Sequence, residues 1–181
     1  MRTLDRPFRS LTTGEKVLLF VVSLKALIPF LAAAVGFLLT TIPFFPPLPL
    51  VPNFGLALVF LFALYRPYQL APWAAMPLGV IADLFLGMPV GANALLLPLF
   101  MIAIIFVDTQ TKRVHWFSDW LIAVPFIMGY QLLLWSLCVF AGPYSPLLPF
   151  MTQGVATLAA FPLVAFLFVS VQRRFVDRFV R

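Results

Sequence analysis

The sequence predicts an all-α, polytopic integral membrane protein built as a bundle of six transmembrane helices. Three observations predict it. The chain is 63% hydrophobic, with a mean hydropathy of +1.06. Only 10% of its 181 residues are charged, against about 25% in soluble domains. Its basic residues, Lys25 excepted, fall in the terminal segments and in every second connection. The runs do not alternate polar and apolar residues, which excludes a transmembrane barrel.

Apolar segments are expected at about 17–40, 54–65, 70–86, 92–107, 118–140 and 152–171. A straight span needs about 20 residues. The second segment is shorter, so it is expected to borrow from the flanking LPLVPN or Arg66–Tyr68 stretches. Ala32 and Ala34 imitate a signal-peptide cleavage site, but the run continues to Thr41 and Lys25 interrupts it. It therefore reads as a retained first helix. Thr12 with Glu15 has capping-box spacing ahead of it. Pro72 fits the first turn of the third helix. Gly87 followed by Pro89 is a stop signal, and Asn93 is an expected N-cap for the fourth helix. Pro29, Pro77, Pro98, Pro125 and Pro162 fall inside helices, as membrane helices tolerate. The segments use nearly the whole chain. It reads as one transmembrane domain, 1–181, with an interfacial segment 1–16 and a basic tail 172–181.

Charge sets the expected orientation. Arg2, Arg6, Arg9 and Lys16 precede the first segment. Arg66 lies in the second connection, and Lys112 and Arg113 lie in the fourth. Arg173, Arg174, Arg178 and Arg181 follow the last segment. The odd-numbered connections, proline-rich at both ends of the chain, carry no Lys or Arg. Positive charge favours the cytoplasmic side, so both termini are expected there. The net charge of +6 is thus topological and forms no stripe for nucleic acid. In the tail, Phe175, Val176, Phe179 and Val180 share a helical face. That spacing predicts a short amphipathic helix lying on the cytoplasmic surface. Leu4, Phe8 and Leu11 repeat the pattern more weakly at the N-terminus.

The stretch GVIADLFLGMPVGANAL poses the main question, since Asp83 stands in an apolar run. Ala71, Ala75, Gly79, Asp83, Gly87 and Gly91 recur every fourth position. Such a ridge of small residues lets another helix approach closely, so it is expected to face protein. Asp83 lies near the C-terminal end of its helix, where the helix dipole disfavours negative charge. It needs donors there, and the short GMPVG turn brings the start of the fourth helix beside it. The free N–H groups after Gly91, or the Asn93 amide, are the expected donors. On that reading the acid pins two helices together. An ion or proton site and a contact point for a partner are the other roles open to an intramembrane acid. Lys25 is the other charge deep within a segment, about 12 Å in from the start of its helix at 1.5 Å per residue. It is expected to snorkel toward the cytoplasm, leaving Ala26–Phe45 as the span.

Catalytic signatures are missing. His115 is the one histidine, beside Trp116 in a connection, and reads as an interfacial residue. HExxH, CxxC, GxSxG and phosphate-cradling glycine loops do not occur. Cys138 is the single cysteine and forms no internal disulfide. Tyr130, Gln131 and Trp135 could line a pocket or serve as interhelical contacts. The chain is expected to be a non-enzyme without a cofactor or metal.

The stretch LYRPYQLAPWAAMPLGVIADLFLGMPVGANALLLPL resembles the core of the MreD family of bacterial rod shape-determining membrane proteins. The matching residues are Arg66-Pro67, Gly79 with Asp83, and the Gly87–Gly91 turn running into Asn93-Ala94-Leu95. The match covers about 35 residues; elsewhere the likeness is one of hydropathy. The resemblance implies an S-component-like bundle in the bacterial inner membrane and a non-enzymatic role in the elongasome. The implied partners are an MreC-like protein and, with it, RodA, a class B penicillin-binding protein and MreB. The implied role is to scaffold or regulate lateral peptidoglycan synthesis and so maintain rod shape. A second reading is the substrate-binding S-component of an energy-coupling-factor vitamin transporter, also a six-helix protein of this length. That reading needs several convergent polar groups in a pocket.

Overall fold

Six α-helices make up the regular structure of the residues that the computed structural model describes: 13–42, 51–110, 116–142 and 146–179. Side chains are described for 27–42, 51–107, 119–142 and 146–171. The helices are α1 (Thr13–Thr40), α2 (Phe54–Tyr65), α3 (Pro72–Leu86), α4 (Ala92–Gln110), α5 (Trp116–Ala141) and α6 (Leu147–Phe179). The expected interfacial segment before Thr13, His115 and the central parts of the proline-rich connections, 43–50 and 143–145, lie outside the described residues.

Short connections make neighbours antiparallel, and the packing resolves into two rows of three. One row runs α1, α2, α6; the other runs α3, α4, α5. α1 faces α3, α2 faces α4, and α6 faces α5. The central pair, α2 and α4, therefore carries most of the core. α2 is buried on nearly every side, which fits a helix apolar all round. Phe60 stacks edge-on against Phe126 of α5 and Phe161 of α6. Phe100 of α4 makes the same contact with Phe126 and Tyr130.

Side-chain ties show which helix ends lie together. The Phe54 N–H at the start of α2 donates to Thr40 Oγ1 at the end of α1. The Tyr65 hydroxyl at the end of α2 donates to Asp119 Oδ2 at the start of α5, over 2.6 Å. Cys138, near the end of α5, lies 3.7 Å by sulfur from Met88 in the α3–α4 turn. One end of the bundle thus holds the α1–α2, α3–α4 and α5–α6 connections, and the Tyr65–Asp119 pair marks the other.

Several expectations need correction. α2 does not borrow from its flanks; it is 12 residues long, about 18 Å at 1.5 Å per residue. Its neighbours enclose it, so it has no need to match a bilayer. Asn53 ends the preceding stretch as an N-cap: its side chain accepts from the Leu56 N–H over 2.9 Å. The Asn53 N–H in turn donates to Thr157 Oγ1 of α6. Asn53→Ala should cost about 1–2 kcal/mol, read as a lower midpoint of thermal unfolding. α1 ends at Thr40, so no straight helix covers Ala26–Phe45; the Thr40 and Thr41 hydroxyls bond back to Gly36 and Leu38 carbonyls there. α6 starts five residues earlier than expected, at Leu147, and runs unbroken to Phe179. The tail through Phe179 continues that helix instead of forming a separate one; residues 180–181 lie outside the described residues.

Among the residues with described side chains, two helices are long and apolar enough to cross a membrane, Asp119–Ala141 and Leu147–Val171. Phe54–Tyr65, Pro72–Leu86 and Ala92–Val107 are shorter apolar helices, and Leu27–Thr40 is the part of α1 whose side chains are described.

Candidate functional site

Asp83 is fully buried, and both of its carboxyl oxygens are occupied. Oδ1 accepts from the Asn93 backbone N–H at 2.9 Å and from Asn93 Nδ2 at 2.7 Å. Oδ2 accepts from the Gly91 N–H at 2.8 Å, with the Ala94 N–H farther off at 3.5 Å. The first N–H groups of a helix have no partner within it, and α4 meets that need with an acid from α3. The dipole at a helix N-terminus also favours a carboxyl group there.

The same residue closes its own helix. The Asp83 carbonyl accepts from the Gly87 and Met88 N–H groups, the hydrogen-bonding pattern of a left-handed C-terminal cap. Asp83 thus ends α3 with its backbone and opens α4 with its side chain. This is the physical reason an apolar run keeps an acid at that position.

The glycines fit two separate needs. Gly79 is buried where α3 crosses α4. A Cβ there would lie 2.4 Å from the Ala94 Cα and N and 2.5 Å from the Asn93 carbonyl carbon. Gly87 and Gly91 have φ of 63° and 105°, and a Cβ at either would meet nothing within 4 Å. They are needed for backbone conformation, whereas Gly79 is needed for space. Replacing Gly87 by alanine should cost about 1–2 kcal/mol, the penalty for a left-handed L-residue. Asparagine there should restore part of the loss, read as thermal midpoints of the purified variants.

Asn93 differs from expectation. α4 begins at Ala92, so Asn93 sits inside its first turn and does not cap it. Its side chain relays the contact instead: Nδ2 donates to Asp83 while Oδ1 accepts from the Tyr130 hydroxyl of α5. Asp83, Asn93 and Tyr130 are each fully buried and tie α3, α4 and α5. Ala75, Gly79 and Asp83 of the small-residue ridge are buried, while Leu84 and Phe85 are exposed.

Arg66 does not join this cluster. Arg66 is exposed just past α2, and its N–H caps that helix on Phe62. It lies at the Tyr65 end, away from Asp83. Lys25 is a residue of α1 whose side chain lies outside the described residues.

A second polar seam, of which the sequence reading singled out only Gln131, joins other helices. Thr40, Asn53 and Thr157 link α1, α2 and α6, and Gln131 Nε2 of α5 donates to Gln153 Oε1 of α6 at 3.2 Å. Among the described residues, Asn53 Nδ2 and Gln131 Oε1 are buried without a hydrogen-bond partner. Asn53 could have been found, because it stands directly before an apolar helical run. Thr157 could not, since its partner is 104 positions away.

Among the described residues, one cavity is apolar and small. It lies between α2, α4 and α5, lined by residues such as Phe60, Met101 and Ile127, with room of about 10 Å³. Ligand pockets for vitamin-sized molecules measure about 300–1,000 Å³. Among the described residues, no group of three or more His, Cys, Asp or Glu side chains could hold a metal ion. The hydrogen bonds of Asp83 and Asn93 orient and fasten α3, α4 and α5. The chain matches no family model, no curated protein and no solved structure.

Proposed function

We propose that this chain is a non-enzymatic integral membrane subunit of a bacterial cell-wall elongation complex, scaffolding or regulating lateral peptidoglycan synthesis. The reading rests on the resemblance to MreD. One observation carries it from sequence to geometry: Gly79, Asp83, Gly87, Gly91 and Asn93, which bear the resemblance, form one helix-fastening unit. A fastened hairpin suits a subunit that acts by contact. The small apolar cavity speaks against a vitamin-binding S-component.

The membrane part of the proposal draws on the exterior. Among the residues with described side chains, the charged ones are Arg66, Asp83 and Asp119. Large apolar side chains are exposed on α1, α3, α4, α5 and α6, far beyond what a soluble monomer presents. Six spans with both termini cytoplasmic, in the inner membrane, follow from the charge pattern. α2 is shielded from lipid, so its length is no obstacle. The proposed partners are an MreC-like protein, then RodA, a class B penicillin-binding protein and MreB.

Depletion in the native host, followed by measurement of cell width, tests this. Rods are expected to widen and round up while vitamin uptake stays normal, and an MreC-like protein should co-purify. Unchanged shape with a new vitamin requirement would replace the proposal with the transporter reading.

A further inference from the structure

Two amide groups at the junction of α2, α5 and α6 have hydrogen-bonding needs that the described residues leave unmet. Asn53 Nδ2 is a donor without an acceptor, and Gln131 Oε1 is an acceptor without a donor. Both residues are 0% exposed, so neither atom can find a partner outside the bundle. Buried polar groups are almost always paired, with protein or with ordered water.

Turning the amides over does not remove the need. Asn53 Oδ1 accepts from the Leu56 N–H. Exchanging its oxygen with its NH₂ group would set donor against donor and lose the N-cap. Gln131 Nε2 donates to Gln153 Oε1. Turning both of these amides would reverse that bond and leave Gln131 with an unmet NH₂ group in place of its oxygen.

The two groups border the same turn of α6. The Asn53 N–H donates to Thr157 Oγ1 over 2.8 Å. Gln131 reaches Gln153, one turn earlier, and a Cβ at the intervening Gly154 would lie 3.3 Å from the Gln131 Cγ. The Thr157 hydroxyl accepts from Asn53 and donates to the Gln153 carbonyl. A hydroxyl oxygen has two lone pairs, so one is still open. One donor and two acceptors, on three buried residues, thus remain around a single helical turn.

We propose that one water molecule is bound there and bridges α2, α5 and α6. Its oxygen accepts from Asn53 Nδ2. Its two protons go to Gln131 Oε1 and to the second lone pair of Thr157 Oγ1. Three bonds are the usual complement of a buried water. Burial selects the ligand: Asn53, Gln131 and Thr157 present almost no surface to the outside, and water is the solute small enough for such an enclosure. The water fastens α2 to α5 and α6, as Asp83 and Asn93 fasten α3 to α4 and α5.

An experimental structure of the full chain that resolves ordered water tests this directly. The expected result is a solvent peak about 2.5–3.2 Å from Asn53 Nδ2, Gln131 Oε1 and Thr157 Oγ1. Asn53 Nδ2 bonded straight to Gln131 Oε1, a larger bound solute, or no peak beside the two atoms would each overturn the bridge. A double-mutant cycle reads the same bridge in solution. Asn53→Ser keeps an N-cap oxygen and removes the donor. Gln131→Met keeps the length of the side chain and removes the acceptor. With the water joining them, Asn53→Ser should lower the thermal midpoint about half as much in the Gln131→Met protein as in the parent. Equal lowering in both backgrounds would overturn the bridge. If either variant fails to fold, the structure of the parent protein decides.

Discussion

Asp83→Leu should abolish most of the folded protein. The substitution strands the Gly91 and Asn93 N–H groups and the Asn93 amide in a buried site. Each unsatisfied buried donor costs about 1–3 kcal/mol. The total is about 4 kcal/mol or more, a large part of a typical stability of about 5–15 kcal/mol. Asp83→Asn should be milder. Its remaining oxygen can keep the two Asn93 bonds, but its NH₂ group then points at the Gly91 N–H. Its expected cost is about half that of the leucine variant. The measurement is the thermal midpoint and monodisperse yield in detergent for both variants. Equal losses would show that the carboxyl group is not the fastener. Tyr130→Phe offers a graded control, because it frees only one acceptor on Asn93. It should lower the midpoint by an amount corresponding to about 1 kcal/mol.

The second large effect is expected at Gly79. Even alanine would place a Cβ 2.4 Å from the Ala94 backbone, closer than any non-bonded contact allows. The obstacle is main chain, which cannot rotate away as a side chain could, so α3 and α4 must separate. Overpacking of this kind costs about 1–3 kcal/mol, and leucine should exceed that range. Separation also lengthens the Asp83 bonds, since the acid lies one turn further along α3. The two sites should therefore couple: in an Asp83→Asn background, Gly79→Ala should cost less than it does alone. Strict additivity in a double-mutant cycle would show that the crossing and the carboxyl cap act independently. A Gly79→Leu protein as stable as the parent would mean that α3 does not pack on α4 there.

Both predictions concern residues that could be singled out before any coordinates, and the reason is locality. Asp83, Gly87, Gly91 and Asn93 are joined across a five-residue turn. A short connection between two apolar helices leaves the chain little choice but to lay the start of one beside the end of the other. The need of α4 for acceptors and the misfit of an acid at the end of α3 then point to each other. Helix positions were readable for a related reason. Long apolar runs bounded by glycine, proline and charge offer few alternatives, and five of the six starts or ends near such signals lie within a few residues of expectation.

What depended on distant contacts was not readable. Asn93 was expected to cap its own helix. With Asp83 already serving the free N–H groups, its side chain is released to bond Tyr130, a residue 37 positions away. The shortness of α2 looked like a defect of the span, because hydropathy says nothing about which helix will be enclosed by others. Tyr65 with Asp119 and Asn53 with Thr157 pair across 54 and 104 positions. No periodicity encodes those partners. Composition and apolar periodicity alone establish that this chain forms apolar helices, where they turn, and that an acid near one turn needs donors. Tertiary packing alone assigns α2 and α4 to the centre and lets Gly79 meet the Ala94 backbone. The difference is physical: helix formation and capping are decided within a few residues, whereas burial and crossing are decided by surfaces that meet only when the whole bundle closes.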